Sequence, residues 1–133
     1  MRRDAVILVC AISAGIHGAL TPEHFAEGAG AGLGFVASTV ALALVALALT
    51  LFPSSRSAVA AAALLLLGLI AAYGLAVTTG LPVLHPDPEP VEGLAAATKA
   101  IEAIGLLAAW SLLQPHTKGS QTWHAFHVRS RSS

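Results

Sequence analysis

The chain has 133 residues and no formal net charge, and 56% of its residues are hydrophobic while 11% are charged. Soluble domains average about 45–50% apolar and about 25% charged residues, so this composition excludes an ordinary soluble domain. The neutral charge excludes the basic surface that nucleic acid requires. Cys10 is the single cysteine, which excludes an internal disulfide and a CxxC metal motif.

Four apolar stretches of the sequence are predicted to be transmembrane helices. They cover residues 5–20, 29–52, 57–81 and 93–113. A bilayer core about 30 Å thick needs about 20 helical residues, and the backbone must pair within each segment, so these lengths predict helices rather than barrel strands. The prolines agree, because each is predicted to lie at or beyond a helix end. We therefore predict an all-α, integral membrane four-helix bundle over residues 1–113, followed by a polar tail at 114–133.

The first stretch is the shortest of the four, at 16 residues. Arg2 and Arg3 precede it, so a secretory signal peptide is the alternative to a retained helix. The sequence shows no obvious cleavage signal, and Val9 before Cys10 does not fit a lipoprotein cleavage motif. These features favour a helix that stays in the protein.

The basic residues predict the orientation of the bundle. Six of the seven fall in the N-terminus, the second connection and the tail, which share one side of a four-span protein. Connections 21–28 and 82–92, on the other side, contain five acids and no Lys or Arg. Positive charge marks the cytoplasmic side of a membrane protein. We therefore predict a protein of the cell membrane with both termini in the cytoplasm, and the tail is a cytoplasmic segment.

Glycines at the start of the second stretch have the spacing of a helix-packing motif. Gly28, Gly30, Gly32 and Gly34 form two overlapping GxxxG patterns. Small residues four apart let helix backbones approach closely in a membrane, where lipid supplies no hydrophobic drive. These glycines are predicted to be packing positions.

Most polar side chains within the spans fall in the half of the membrane predicted to face outward, and the inner half is almost purely Leu, Ala, Val and Ile. Lys99 and Glu102 are three residues apart on the fourth stretch, so they lie on one helix face, and Tyr73 falls at a similar depth. An ionisable group inside a span usually faces the bundle interior and has a partner. The alternatives are a local ion pair, with Lys99 extending outward, or a ligand or proton site.

A second cluster combines histidine and carboxylate near the same surface. His17, His24, His85 and Glu92 share the outer side, and such ligands suit Zn²⁺ or Cu²⁺. Met1 is the only methionine, which disfavours a copper(I) carrier. The alternative for each histidine is an interfacial hydrogen-bonding role. Their shared side predicts a divalent-metal site at the outer mouth of the bundle.

The run from His17 to Pro22-Glu23-His24, followed by a Gly-rich helix, resembles small bacterial four-helix membrane proteins. The segment 89–93, Glu-Pro-Val-Glu-Gly, strengthens that resemblance. More loosely, the layout is similar to DoxX-like membrane proteins. The resemblance implies the four-helix fold and carries over no catalytic residue. The bias toward Ala, Leu, Gly and Arg is also typical of a high-GC bacterial genome.

The sequence therefore predicts a binding protein rather than an enzyme. Its site would face outward and bind a divalent transition metal, Zn or Cu(II), or a small cationic ligand. The alternative is an accessory subunit that docks a larger membrane complex, or a second copy of itself, through helix packing. The lipid bilayer is the predicted partner in either case.

Overall fold

The computed structural model of the chain describes residues 1–81, 88 and 90–115. Over these residues it has four α-helices: α1 at Arg2–Glu27, α2 at Ala29–Leu51, α3 at Arg56–Thr78 and α4 at Gly93–Leu113. Each of them is long and apolar enough to cross a membrane. The predicted all-α four-helix bundle is confirmed, and the chain is a multi-pass membrane protein.

Helix α1 is longer than the sequence predicted. The prediction placed its end before Pro22, which is wrong, because α1 continues through that proline to Glu27. A proline inside a helix removes one N–H donor and crowds the carbonyl four residues earlier. Membrane helices tolerate this, and the carbonyl left without its helical donor here is that of Gly18, four residues before Pro22. Residues 21–27, predicted as a connection, thus add about two turns to the helix.

The other helix bounds lie close to the prediction, and the first two connections are short. Gly28 alone joins α1 to α2. Helix α2 ends one residue before the predicted position and α3 ends three residues before it, while α4 has the predicted bounds. Ser55 caps the start of α3, since its hydroxyl oxygen accepts the Ala58 N–H at 3.1 Å.

The helices form an up-down-up-down bundle. Helix α1 packs against α2 and α4, and α3 packs against α4 and α2, so every neighbour in the ring is antiparallel. We call the end with the N-terminus, the 52–55 turn and the last turn of α4 the basal end. The opposite end, with Gly28 and the first turn of α4, is the distal end.

Two arginines hold the basal end together. The Arg3 guanidinium donates to the Leu49 carbonyl at 2.9 and 3.1 Å and to the Phe52 carbonyl at 2.6 Å. Arg56 donates to the Leu113 carbonyl at 2.8 Å. The last carbonyl groups of a helix have no partner within it. These arginines supply hydrogen bonds to such carbonyl groups at the C-terminal ends of α2 and α4.

The buried residues of α1 and α4 recur every three or four positions, as expected for one face of an α-helix. On α1 this face carries Val6, Cys10, Ala14 and His17. The outward faces are apolar as well: for example, Leu64 is 71% exposed. Lipid accounts for this pattern, because a helix surrounded by protein and hydrocarbon is apolar all round.

Helices α1 and α4 approach each other closely at Gly105. A Cβ atom at this position would lie 2.5 Å from Val9 Cγ1 and 3.1 Å from Leu66 Cδ1. Real Cβ atoms do not come so near to other atoms, so the fit between the two helices depends on glycine here. This contact sets α4 deep enough in the bundle for Glu102, one turn nearer its start, to reach α1.

Candidate functional site

A pocket of about 350 Å³ lies at the distal end of the bundle, and all four helices line it. This volume falls within the range of small-molecule sites, roughly 300–1,000 Å³. Most of its wall is apolar, with Ile16, Leu20, Phe35 and Leu69 among the lining residues. The ionisable residues that line it are His17, Glu23, His24, Glu27, Glu92 and Lys99.

The pocket gathers most of the residues that the sequence singled out. His17, His24 and Glu92, predicted as metal ligands, line it together. Lys99 and Tyr73, predicted as intramembrane polar residues, line it too, while Glu102 is fully buried one helical turn nearer the basal end. His85, the fourth predicted metal ligand, lies outside the described residues.

Helix α1 supplies one polar wall of the pocket because its extended C-terminal part is helical. His17 and His24 are seven residues apart, which places them on one face two turns from each other. Each imidazole Nδ1–H donates to the carbonyl four residues earlier: His17 to Ser13 at 2.9 Å and His24 to Leu20 at 3.0 Å. Both rings therefore keep Nε2 as the nitrogen that can accept a hydrogen bond or bind a ligand.

Phe35 of α2 packs against both imidazoles. Its ring centroid lies 3.5 Å from that of His24 in a stacked arrangement and 5.3 Å from that of His17 in a tilted one. Nothing in the sequence marks Phe35 as a site residue, since a phenylalanine in a membrane helix ordinarily faces lipid or core. Only its position opposite the α1 histidines shows that it belongs to the site.

Beneath the pocket, a buried carboxylate joins α1 to α4. Glu102 is 0% exposed, and its Oε1 accepts the Ser13 hydroxyl at 2.5 Å. Its Oε2 accepts the Lys99 ammonium at 2.7 Å, and the Lys99 side chain is 15% exposed. Both carboxylate oxygens are therefore hydrogen-bonded. Lys99 and Glu102 form an ion pair, which is one of the two alternatives that their spacing on α4 leaves open. Ser13 lies on another helix, so spacing within α4 does not predict it as a partner.

Tyr73 closes the pocket from α3, beside Lys99. The Lys99 Nζ lies 5.9 Å from the centre of the Tyr73 ring, within the range of a cation–π contact. The Tyr73 hydroxyl is buried and has no hydrogen-bond partner among the described residues. It is thus a polar group whose hydrogen-bonding capacity is unused.

The described residues do not assemble a metal centre. They contain no group of three or more His, Cys, Asp or Glu side chains that could hold a metal ion. A zinc ion needs each nitrogen at about 2.0–2.1 Å, and metal-binding pairs on one helix are typically four residues apart. His17 and His24 are seven apart, about 10.5 Å along the axis, and Phe35 packs against both rings.

The pocket mouth has an excess of negative charge. Glu23, Glu27 and Glu92 line the pocket, against Lys99 as the only Lys or Arg in its described lining. Glu102 already neutralises Lys99 from below. His24 Nε2 lies 4.0 Å from Glu27 Oε2, so that contact becomes an ion pair when the imidazole is protonated.

The four glycines predicted to pack helices take different positions. Gly32 is buried where a Cβ atom would collide with the Phe25 ring, so the close approach here is to the preceding helix. Gly28 forms the α1–α2 turn, and a Cβ atom there would meet nothing within 4 Å. Gly34 lines the pocket, and Gly30 is half-buried at the start of α2.

Neither a protein-family model, a curated protein nor a solved structure matches this chain. The resemblance of its sequence to small bacterial four-helix membrane proteins and to DoxX-like proteins stays a prediction. What the protein does is therefore inferred from the side chains of the distal pocket.

Proposed function

We propose that this protein is a ligand-binding membrane protein, not an enzyme, whose distal pocket takes up a small organic cation. One observation carries the proposal: a pocket of small-molecule size has three glutamates in its lining against one lysine that is already paired. Such a site attracts positive charge, and its apolar wall can contact the uncharged part of the ligand.

The charge balance favours a cation over an anion. An unpaired carboxylate 4 Å from a cation contributes about 1 kcal/mol in bulk water and about 4 kcal/mol near a protein surface. Glu23, Glu27 and Glu92 act together at the pocket mouth. An anion would meet the opposite potential, and Lys99 offers it little compensation because Glu102 holds its ammonium at 2.7 Å.

The shape of the pocket favours an organic cation over a bare metal ion. A metal ion has no use for the apolar wall of Ile16, Leu20 and Leu69, whereas an alkyl or aromatic body does. A Zn²⁺ or Cu²⁺ ion remains the alternative cation, and the wide spacing of the two described histidines disfavours it.

The proposed orientation puts the pocket on the outside of the cell membrane. The N-terminus, Arg3 and Arg56 lie at the basal end, and positive charge marks the cytoplasmic side. The distal pocket would then receive its ligand from the extracytoplasmic space or the outer leaflet. Both termini would be cytoplasmic.

Binding of n-hexylammonium tests the proposal against its neutral counterpart, 1-hexanol. The two probes share an alkyl chain, so an affinity difference reports recognition of charge. We expect n-hexylammonium to bind detergent-purified protein more tightly in titration calorimetry. The triple variant Glu23→Gln, Glu27→Gln, Glu92→Gln should lose the difference.

Asp4→Asn is the matched control, because Asp4 is an exposed carboxylate at the basal end that pairs with the N-terminus at 2.7 Å. It removes one negative charge far from the pocket and should leave binding unchanged. Equal affinity for both probes in the wild type, or equal losses in the control and the triple variant, would contradict a cation site at the distal end.

A second candidate function, docking to another membrane protein, is favoured by the outer face of α3. Gly68 and Gly74 are both exposed on α3, about 120° apart around the helix, and a Cβ atom at either would meet nothing within 4 Å. Exposed small residues in a membrane let another helix approach closely. A stoichiometric partner that is lost in the Gly68→Leu, Gly74→Leu variant, with no binding of n-hexylammonium, would favour this accessory-subunit function.

A further inference from the structure

The Tyr73 hydroxyl is a buried polar group beside the pocket. It has no hydrogen-bond partner among the described residues. A buried donor without an acceptor generally costs a protein about 1–3 kcal/mol. Phenylalanine would fill the same space without that cost, so folding alone does not explain a tyrosine at this position.

Lys99 is the charged residue beside Tyr73. Its Nζ lies 5.9 Å from the ring centre, it also lines the pocket, and an ammonium can only donate hydrogen bonds. Each oxygen of Glu102 already accepts one hydrogen bond, from Ser13 at 2.5 Å and from Lys99 at 2.7 Å, and neither accepts one from Tyr73. The pocket that Tyr73 lines is the space from which a ligand can bring an acceptor to the phenol.

The two ends of the pocket thus differ in chemistry. Its mouth has carboxylates that accept hydrogen bonds from a cation, including Glu92 at the start of α4. Lys99 lies seven residues further along the same helix, about 10 Å deeper. At that depth the charges of Lys99 and Glu102 cancel, so a neutral oxygen acceptor fits better than a second charge.

We propose that Tyr73 is a specificity-determining residue whose hydroxyl donates a hydrogen bond to a neutral oxygen, such as an amide or ester carbonyl, on the bound ligand. The ligand is then an organic cation with a carbonyl oxygen some 7–10 Å from its positive charge, the span of about two helical turns. This inference rests on the proposed function, since it names the class of cation that the pocket selects.

The role proposed for Tyr73 predicts that Tyr73→Phe has opposite effects on thermal stability and on ligand affinity. Tyr73→Phe removes an unpaired hydroxyl from the empty protein, so thermal stability without ligand should be unchanged or higher. The same substitution should weaken binding of a ligand that has the carbonyl oxygen, by roughly threefold to tenfold for one neutral hydrogen bond. A purely structural tyrosine would not combine these effects.

The test uses 6-aminohexanamide and n-hexylammonium, which share an ammonium and a six-carbon chain and differ in the terminal amide. Titration calorimetry of the full chain in detergent gives both affinities for each variant. We expect Tyr73→Phe to reduce the affinity for 6-aminohexanamide alone. Thr39→Val is the control, because it removes a hydroxyl outside the pocket lining that is already bonded to the Phe35 carbonyl at 2.9 Å.

Each outcome decides between the two proposals. If both probes bind the wild type and Tyr73→Phe changes their affinities equally, or not at all, the role of Tyr73 is refuted while the cation site stands. If neither probe binds, the proposed function fails and this inference fails with it. Should Tyr73→Phe not fold, a wild type that does not prefer the amide over n-hexylammonium would still overturn the inference.

Discussion

Lys99 and Glu102 form a buried ion pair. Removing the charge of Lys99 alone should destabilise the bundle more than removing the charges of both residues. Glu102 is 0% exposed and has two described partners, Ser13 and Lys99. Breaking a buried ion pair by removing one member typically costs 3–5 kcal/mol, because the remaining charge is left uncompensated. We therefore expect Lys99→Leu to lower the free energy of unfolding by about 3–5 kcal/mol.

The reverse substitution should cost less. In Glu102→Leu the remaining charge belongs to Lys99, whose side chain is 15% exposed and lies about 9 Å from the start of α4. A lysine can extend its ammonium toward the membrane interface, so we expect a loss of about 1–3 kcal/mol. The double variant Lys99→Leu, Glu102→Leu buries no charge and should lie within about 1 kcal/mol of the wild type, since apolar replacement of a buried pair is often neutral.

Equilibrium unfolding in mixed micelles, titrated with a denaturing detergent, gives the four free energies of this cycle. The expected coupling between the two positions is at least about 3 kcal/mol, above the 0.5 kcal/mol within which independent sites add. Glu102→Gln separates the effect of the charge from that of the hydrogen bond to Ser13. The amide keeps the size of the side chain and an acceptor for Ser13, and it removes only the charge. Single losses that simply add in the double variant would show that Lys99 and Glu102 do not compensate each other.

Three further predictions concern other parts of the molecule. Gly105→Ala should destabilise the bundle by about 1–3 kcal/mol, because the new methyl overlaps Val9, and Val9→Ala in the same chain should recover part of the melting temperature. Zn²⁺ should shift the melting temperature of the wild type and of the His17→Ala, His24→Ala variant equally. A shift seen only in the wild type, and lost on acidification because a metal binds neutral imidazole, would support the metal-site alternative instead. A reporter enzyme fused to the C-terminus should score as cytoplasmic, and an extracytoplasmic score would reverse the proposed orientation.

The local features of the chain were predictable because they depend on the composition of one segment at a time. Segment length and hydropathy give the number of helices, and they gave the bounds of α4 as the structure has them. That Lys99 and Glu102 are neighbours on one face of α4 follows from their i, i+3 spacing. The length of α1 was not predictable in this way, because the cost of Pro22 in a helix depends on what surrounds it.

The candidate site, too, was predictable from the sequence only in part. The residue types point to one end of the bundle, and His17, His24 and Glu92 do line one pocket there. The sequence by itself determined the spans, the polar end and the pair on α4, since these follow from spacing within a helix. Only the tertiary structure placed Ser13 on Glu102, put Phe35 against two imidazoles and left the Tyr73 hydroxyl without a partner among the described residues. Those contacts depend on how each helix is rotated and how deeply it sits against its neighbours, and these are set by packing between segments distant in the chain.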